Sequence, residues 1–415
     1  MTITPSSLHS WASQDQIPNS TQLHPSRLPL EVYELIIDQL HDDPLALEAC
    51  ALTCRAWLPR SRFRLFLIQI QHVPTVGTYN NLLRRIRASP SLPQYVRALC
   101  VSRFTNDRKP TWTNRIPVQL APFMSRLFCL HFQDVLSSGW MHPSMHAYLA
   151  FFRTVGNLSL GNCLFSDINS FIRILLCFPA LEYLTLDQVR WGKSQMMKHL
   201  VGPSRSKKFQ IKSLAITLDS WHGDSAKQFT EWFMTTPSVS TVTFFSLTSG
   251  SATDHEGIAP FYHAVGQSLK ELEIYFPWYS QGALTLVSDF LHLESCKSLR
   301  RVRFEEVTAQ ETPVLLTLIG RIPPSIEEIW INMKSENQKQ LDSVDWEIFD
   351  SFFTPEKFPA LKKIFLAFHF YIPGQGQDRK PTTSSIVSRL RKLSDVGLLE
   401  IRERTPAWRS DFSAT

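Results

Sequence analysis

The sequence predicts an α/β solenoid, a curved parallel sheet with helices on its outer side, preceded by a small three-helix unit. Two observations predict the solenoid. An apolar-x-x-apolar-x-apolar pattern returns twelve times between Leu65 and Ile401. Helical patterns fill the intervals, at a repeat of about 30 residues. A third observation, proline-started helical segments between Leu28 and Phe66, predicts the separate unit ahead of it.

That unit reads LPLEVYELIIDQLHDDPLALEACALTCRAWLPRSRFRLF. Pro29 sits where a helix can begin, because a first-turn residue needs no N–H partner. Val32, Ile36 and Leu40 recur on one helical stripe, and Tyr33 and Ile37 widen it. Asp43-Pro44 is a cap followed by a first-turn residue, so Leu45 to Trp57 reads as a second helix. Pro59 opens a third short piece, to about Phe66. A unit of about forty residues buries too little surface to be stable by itself. Its apolar positions also exceed one face, so some must meet another chain or the rest of this one.

The order Leu28-Pro29-Leu30-Glu31, Ile36-Ile37, Leu40, Leu47 and Arg55-Ala56-Trp57 resembles the F-box. The resemblance implies that residues 25–66 bind a Skp adaptor, which joins a cullin–RING ligase. The adaptor-binding residues expected from the spacing and the surplus of apolar positions are Leu28, Pro29, Val32, Ile36, Leu40, Leu47 and Trp57.

The repeat pattern follows over residues 67–405. Its triplets are Leu65, Ile68, Ile70; Val96, Leu99, Val101; Leu127, Leu130, Phe132; Val155, Leu158, Leu160; Leu181, Leu184, Leu186; and Ile211, Leu214, Ile216. Then come Val239, Val242, Phe244; Leu269, Leu272, Ile274; Leu299, Val302, Phe304; Ile326, Ile329, Ile331; Leu361, Ile364, Leu366; and Val396, Leu399, Ile401. This is the strand signature of leucine-rich repeats. The intervals supply helices over 79–88, 168–178, 225–234, 284–293, 313–319 and 346–353. A unit of one strand and one helix cannot close its own core, so neighbours stack. Leucine-rich repeats often carry Asn or Cys three residues after the last strand apolar. Only Cys163 fits, and Val135, Val189, Leu247 and Val307 stand elsewhere, so the repeats are degenerate. Pro373 to Ser385 reads as the longest insertion.

Alternation assigns the open face of the sheet, since residues between inward apolar members point outward. Early repeats place small or polar residues there, such as Ala98, Ser102 and Ser159. Later ones place aromatic and charged residues. Tyr183, Phe245, Tyr275, Arg301, Arg303, Trp330 and Phe365 are the expected target-binding residues of a concave face, because aromatics beside Arg anchor interfaces.

Nothing in the sequence points to catalysis, a cofactor or a metal. His142-x-x-x-His146 has helical ligand spacing but lacks the glutamate of zinc proteases, and Gly374-x-Gly376 lacks a third glycine. Seven scattered cysteines suggest reduced thiols, hence cytoplasm or nucleus. No apolar run approaches the roughly 20 residues that span a bilayer. The polar start, residues 1–24, reads as disordered and unlike a secretory signal, and 406–415 as a tail. Arginines cluster between Arg55 and Arg115. Without aromatic interleaving or a nucleic-acid motif this reads as a solvated face, and nucleic acid is not an expected partner.

The two parts together are similar to F-box/leucine-rich-repeat proteins, a pairing common in fungi. What that implies is a non-catalytic substrate receptor of an SCF-type ubiquitin ligase, holding an unknown protein. The competing expectation is a repeat-domain interaction scaffold with no ubiquitin role.

Overall fold

The computed structural model describes residues 29–41, 43–68, 71–73, 75–102, 111–134, 136, 145–192, 209–218, 221, 224–248, 252–276, 284, 291–335, 337–370 and 384–402. Residues 1–24 and 406–415, site residue Leu28, most of the helix expected over 284–293 and most of the insertion expected over 373–385 lie outside them. Ser384 and Ser385, placed in that insertion, instead begin a helix, Ser384–Arg389. The chain divides into two compact units, residues 1–65 and 66–415.

The first unit holds α1 (Leu30–Gln39), α2 (Pro44–Thr53) and α3 (Leu58–Ile68), which runs on into the second. Asp43 caps α2 by accepting the Ala46 N–H at 3.0 Å, with Pro44 in the first turn. α2 stops four residues short of Trp57, because Cys54 turns fully extended. Asp38 clips α1 to α3: its carboxylate accepts from Arg64 Nε at 2.7 Å and from Arg60 Nε at 2.6 Å. Arg64 and Arg60 hold the Asp38 carboxyl well below the usual carboxylate range. A depressed folded-state pKa contributes stability above the unfolded value near about 4, lost as pH falls through the folded value. Asp38→Asn should therefore cost about 1 kcal/mol at neutral pH, the upper end for a half-exposed pair. The deficit should shrink on acidification. Thermal melts of both proteins across acid pH measure it, and equal curves throughout would show the clip contributes nothing.

The second unit contains β1 (Gln71–Val73), β2 (Ala98–Ser102), β3 (Cys129–Gln133), β4 (Asn157–Gly161), β5 (Leu164–Phe165), β6 (Tyr183–Asp187) and β7 (Arg190–Trp191). It continues with β8 (Ser213–Thr217), β9 (Phe244–Thr248), β10 (Glu271–Tyr275), β11 (Arg301–Thr308), β12 (Glu328–Ser335), β13 (Lys363–Phe370) and β14 (Leu399–Arg402). Twelve of these form one sheet in chain order, each described pairing parallel, and β5 pairs with β7 alone. Parallel neighbours need a crossover, and the intervals supply it. Helices lie at Val76–Ala88, Ile168–Leu175, Ser225–Met234, Thr312–Ile319 and Trp346–Phe352, close to the expected ones. Their apolar faces and the inward strand residues make one continuous core. The result is a leucine-rich-repeat-like solenoid.

A recurring lock sets the repeat phase. One carbonyl just ahead of a strand accepts two successive N–H groups from the next repeat. Arg97 accepts from Phe128 and Cys129, Phe128 from Gly156 and Asn157, and Gly156 from Glu182 and Tyr183. Glu182, Lys212, Thr243, Lys270, Arg300 and Glu327 continue the series. In eight of these nine, the accepting residue immediately follows the first member of the expected triplet.

The exception is β9, whose expected triplet was Val239, Val242, Phe244. The lock sits at Thr243, and Leu214 pairs with Phe245 and Ile216 with Leu247. The true triplet is Val242, Phe245, Leu247, three residues later. A short 3₁₀ turn at Pro237–Ser240 takes up those residues, held by Ser238 Oγ donating to the Phe209 carbonyl at 3.0 Å. Phe245 is consequently fully buried in the core, not on the open face. The first strand slips by the same three residues: α3 continues through Ile68, and Gln71 and Val73 pair with Leu99 and Val101.

The missing Asn ladder has a visible substitute. Asp134, Asn162, Gln188 and Glu306, each two residues past an inward strand apolar, are left-handed with φ of 61°, 47°, 54° and 61°. That turn drives the next residue inward, where Cys163, Val189 and Val307 are buried. Cys163 alone bonds backbone, its Sγ donating to the Gly161 carbonyl at 3.3 Å. Apolar burial replaces polar ties at the other two. Outside, Asn162 Nδ2 donates to Asp134, and Arg190 Nη2 donates to Asn162 Oδ1 at 3.2 Å.

Candidate interaction surfaces

Two surfaces deserve a functional reading, one on each unit. On the first, Ile37 and Leu47 are the buried apolar side chains of α1 and α2. Leu47, expected to meet an adaptor, has no exposed area and is core. Of the other expected residues, Pro29 and Ile36 are exposed, while Val32 and Leu40 are half-buried. Trp57 is half-buried against Tyr33, the rings 5.4 Å apart. Sequence reasoning missed the largest exposures. Leu45 is 77% and Leu52 88% exposed, and Leu30, Leu35 and Ile36 are also open. Their signal was present in the surplus of leucines, but α2 is apolar nearly all round, so spacing could not say which side stays open.

On the second unit, the aromatic and charged part of the open face gathers over β10 to β14. In register across the strands run Glu273, Arg303, Trp330, Phe365 and Glu400. Trp330 and Phe365 stack with centroids 3.9 Å apart and 24° between planes. The Arg402 guanidinium lies 4.3 Å over Phe365 and 4.8 Å over Trp330, and that of Arg303 5.6 Å from Trp330. Such stacks place flat charge on the negative ring face. Arg303 is only 6% exposed and pairs with Glu305. Asn332 Nδ2 donates to the other Glu305 oxygen at 2.8 Å. Glu305 stands opposite Asn332 because Phe304 pairs with Ile331; the register with β12 shifts only beyond it, at the bulge before Val307, where Glu306 is left-handed.

The charges at the edge are paired as well. Arg301 Nη2 is 2.7 Å from Glu271, and Trp330 Nε1 donates to Glu328 at 3.3 Å. Burial raises the Glu271 carboxyl above its ordinary value, and Arg301 opposes that.

The expected target-binding residues therefore divide. Arg301 is exposed and Trp330 and Tyr275 half-buried, so all three reach the open face. Phe365 shares that face but is only 6% exposed. Residues of the same face cover it: it is capped by Trp330 and Arg402. Tyr183 is half-buried four strands from β11, edge-on to Phe128 at 6.2 Å, and is not part of the cluster. Phe245 faces the core. Glu305, Asn332 and Arg402 were not foreseen. Alternation already put all three outward, each following the last apolar member of its triplet, but did not say which of them would meet.

The basic region is split. Arg60 and Arg64 are spent on Asp38, and Arg84, Arg85 and Arg87 line the exposed side of the Val76–Ala88 helix. Among the described residues, no His, Cys, Asp or Glu group is arranged to hold a metal ion. No helix among them is long and apolar enough to cross a membrane.

No family model matches this chain, and no curated protein matches it. An internalin structure from Listeria monocytogenes is similar at 12% identity over 89% of this chain and 97% of its own, with a TM-score of 0.30. At that score no feature of the internalin is carried over.

Proposed function

We propose that this chain is a substrate-recognition subunit of an SCF-type cullin–RING ubiquitin ligase. The first unit docks a Skp adaptor, and the repeat sheet holds the target protein. The observation that carries the reading is the exposure of Leu30, Leu35, Ile36, Leu45 and Leu52 on the two short helices α1 and α2. A fully buried Leu or Ile side chain is worth about 1.5–3 kcal/mol, so these side chains leave a large gain unrealised until a partner covers them. Leu30 and Ile36 lie within the stretches that carry the F-box resemblance. The target side rests on the aromatic and arginine cluster, residue types that anchor interfaces.

The receptor makes and breaks no bond. It holds a target lysine near a ubiquitin-carrying enzyme and raises their effective concentration. The test is co-expression with a Skp adaptor followed by size-exclusion chromatography. An equimolar complex is the expected result. Separate elution of two folded proteins would remove the ligase reading and leave an interaction scaffold.

A further inference from the structure

The cluster on the open face contains a notch that nothing above assigns. Its rung runs Glu305, Asn332, Ala367, Arg402, with the last three in register on β12, β13 and β14. Ala367 is the small member, so the rung is interrupted between Asn332 and Arg402. Trp330 and Phe365, one rung below, wall the depression.

Three properties of the notch define what fits it. Asn332 is 4% exposed, and its Oδ1 accepts no hydrogen bond, although its Nδ2 is used by Glu305. A buried acceptor left without a donor costs about 1–3 kcal/mol, which a ligand N–H would recover. Opposite it, Arg402 gives its Nε to Glu400 at 2.6 Å, leaving the two terminal amino groups for an acceptor. The charges balance: Arg303 pairs with Glu305, and Arg402 with Glu400. A charged ligand would bring an unpaired charge, so the complement is neutral. It carries one N–H donor and one oxygen acceptor side by side, and it is flat enough to lie along the rings.

We propose that this notch binds a side-chain carboxamide, of glutamine or asparagine, presented by an extended segment of the target. The carboxamide N–H donates to Asn332 Oδ1, and its oxygen accepts from Arg402. Arg402 is the movable wall. It is half-exposed and held by a surface ion pair, an interaction weak enough to yield. The proposal rests on the reading that this face holds the target, and it names the chemistry.

The experiment uses the full chain and three capped hexapeptides alternating glycine with glutamine, glutamate or arginine, titrated calorimetrically. The glutamine peptide should bind, with a Kd of about 1 mM or tighter, and at least about tenfold better than the other two. Ala367→Leu fills the notch from a half-exposed position, and its unchanged melting temperature would certify the fold. It should abolish glutamine-peptide binding, and Asn332→Ala should reduce it to the level of the glutamate peptide. Preference for the arginine or glutamate peptide, equal binding by Ala367→Leu, or no binding of the glutamine peptide overturns the proposal. No adaptor is present in this assay, so its failure is distinct from failure of the ligase reading.

Discussion

Leu184→Asp should leave the repeat unit largely unfolded at temperatures where the natural chain is intact. Leu184 is 1% exposed and stands between Leu158 and Leu214 on the inward face of the sheet. A carboxylate there has no partner, and burying an unpaired charge is among the few mechanisms that cost about 4 kcal/mol or more. The damage spreads, because each repeat completes its core only with its neighbours. Thr185→Asp, one residue on and half-buried on the open face, should change the melting temperature by only a few degrees. Circular-dichroism melts of the two variants decide it. Similar melting temperatures would mean that the alternation is assigned to the wrong faces.

Ile36→Asp combined with Leu52→Asp should abolish co-purification with a Skp adaptor while leaving the melting curve unchanged. Both side chains are exposed, Ile36 by 46% and Leu52 by 88%, so neither substitution buries a charge in the free protein. In a complex each carboxylate would lose its water against an apolar partner surface. Two such penalties, with the lost apolar contact, exceed about 4 kcal/mol, roughly a thousandfold in affinity. Leu47→Asp is the contrasting variant. Leu47 is core, so this change should unfold the first unit. Adaptor capture by the double variant at natural strength would move the docking site elsewhere. The open sheet face is untouched in both proteins.

How legible the chain was depended on how local the determining interaction is. The helix-starting Asp43-Pro44 pair, the period of about 30 residues and the inward residues of most strands were all readable in advance. Each is decided within one turn or one repeat. Two strands slipped by three residues, because the stretch from Val239 to Leu247 offers apolar residues for either register. Only pairing with Leu214 and Ile216 chooses between them.

By itself, then, the sequence determined a short helical unit followed by stacked strand–helix repeats, and which side of most strands meets the core. Tertiary structure alone decided what the open face looks like. Arg303 and Phe365 face outward yet are nearly covered, because parallel strands bring Trp330 alongside Arg303 from 27 residues away and Arg402 over Phe365 from 37 residues away in sequence. It alone set the register that brings Glu305 to Asn332 and left the gap at Ala367. The same holds for α2, where a nearly all-apolar surface carries little period and only packing selects Leu47 for the core and Leu52 for the outside. Local patterns specify which elements form, and burial depends on neighbours that the order of residues does not make adjacent.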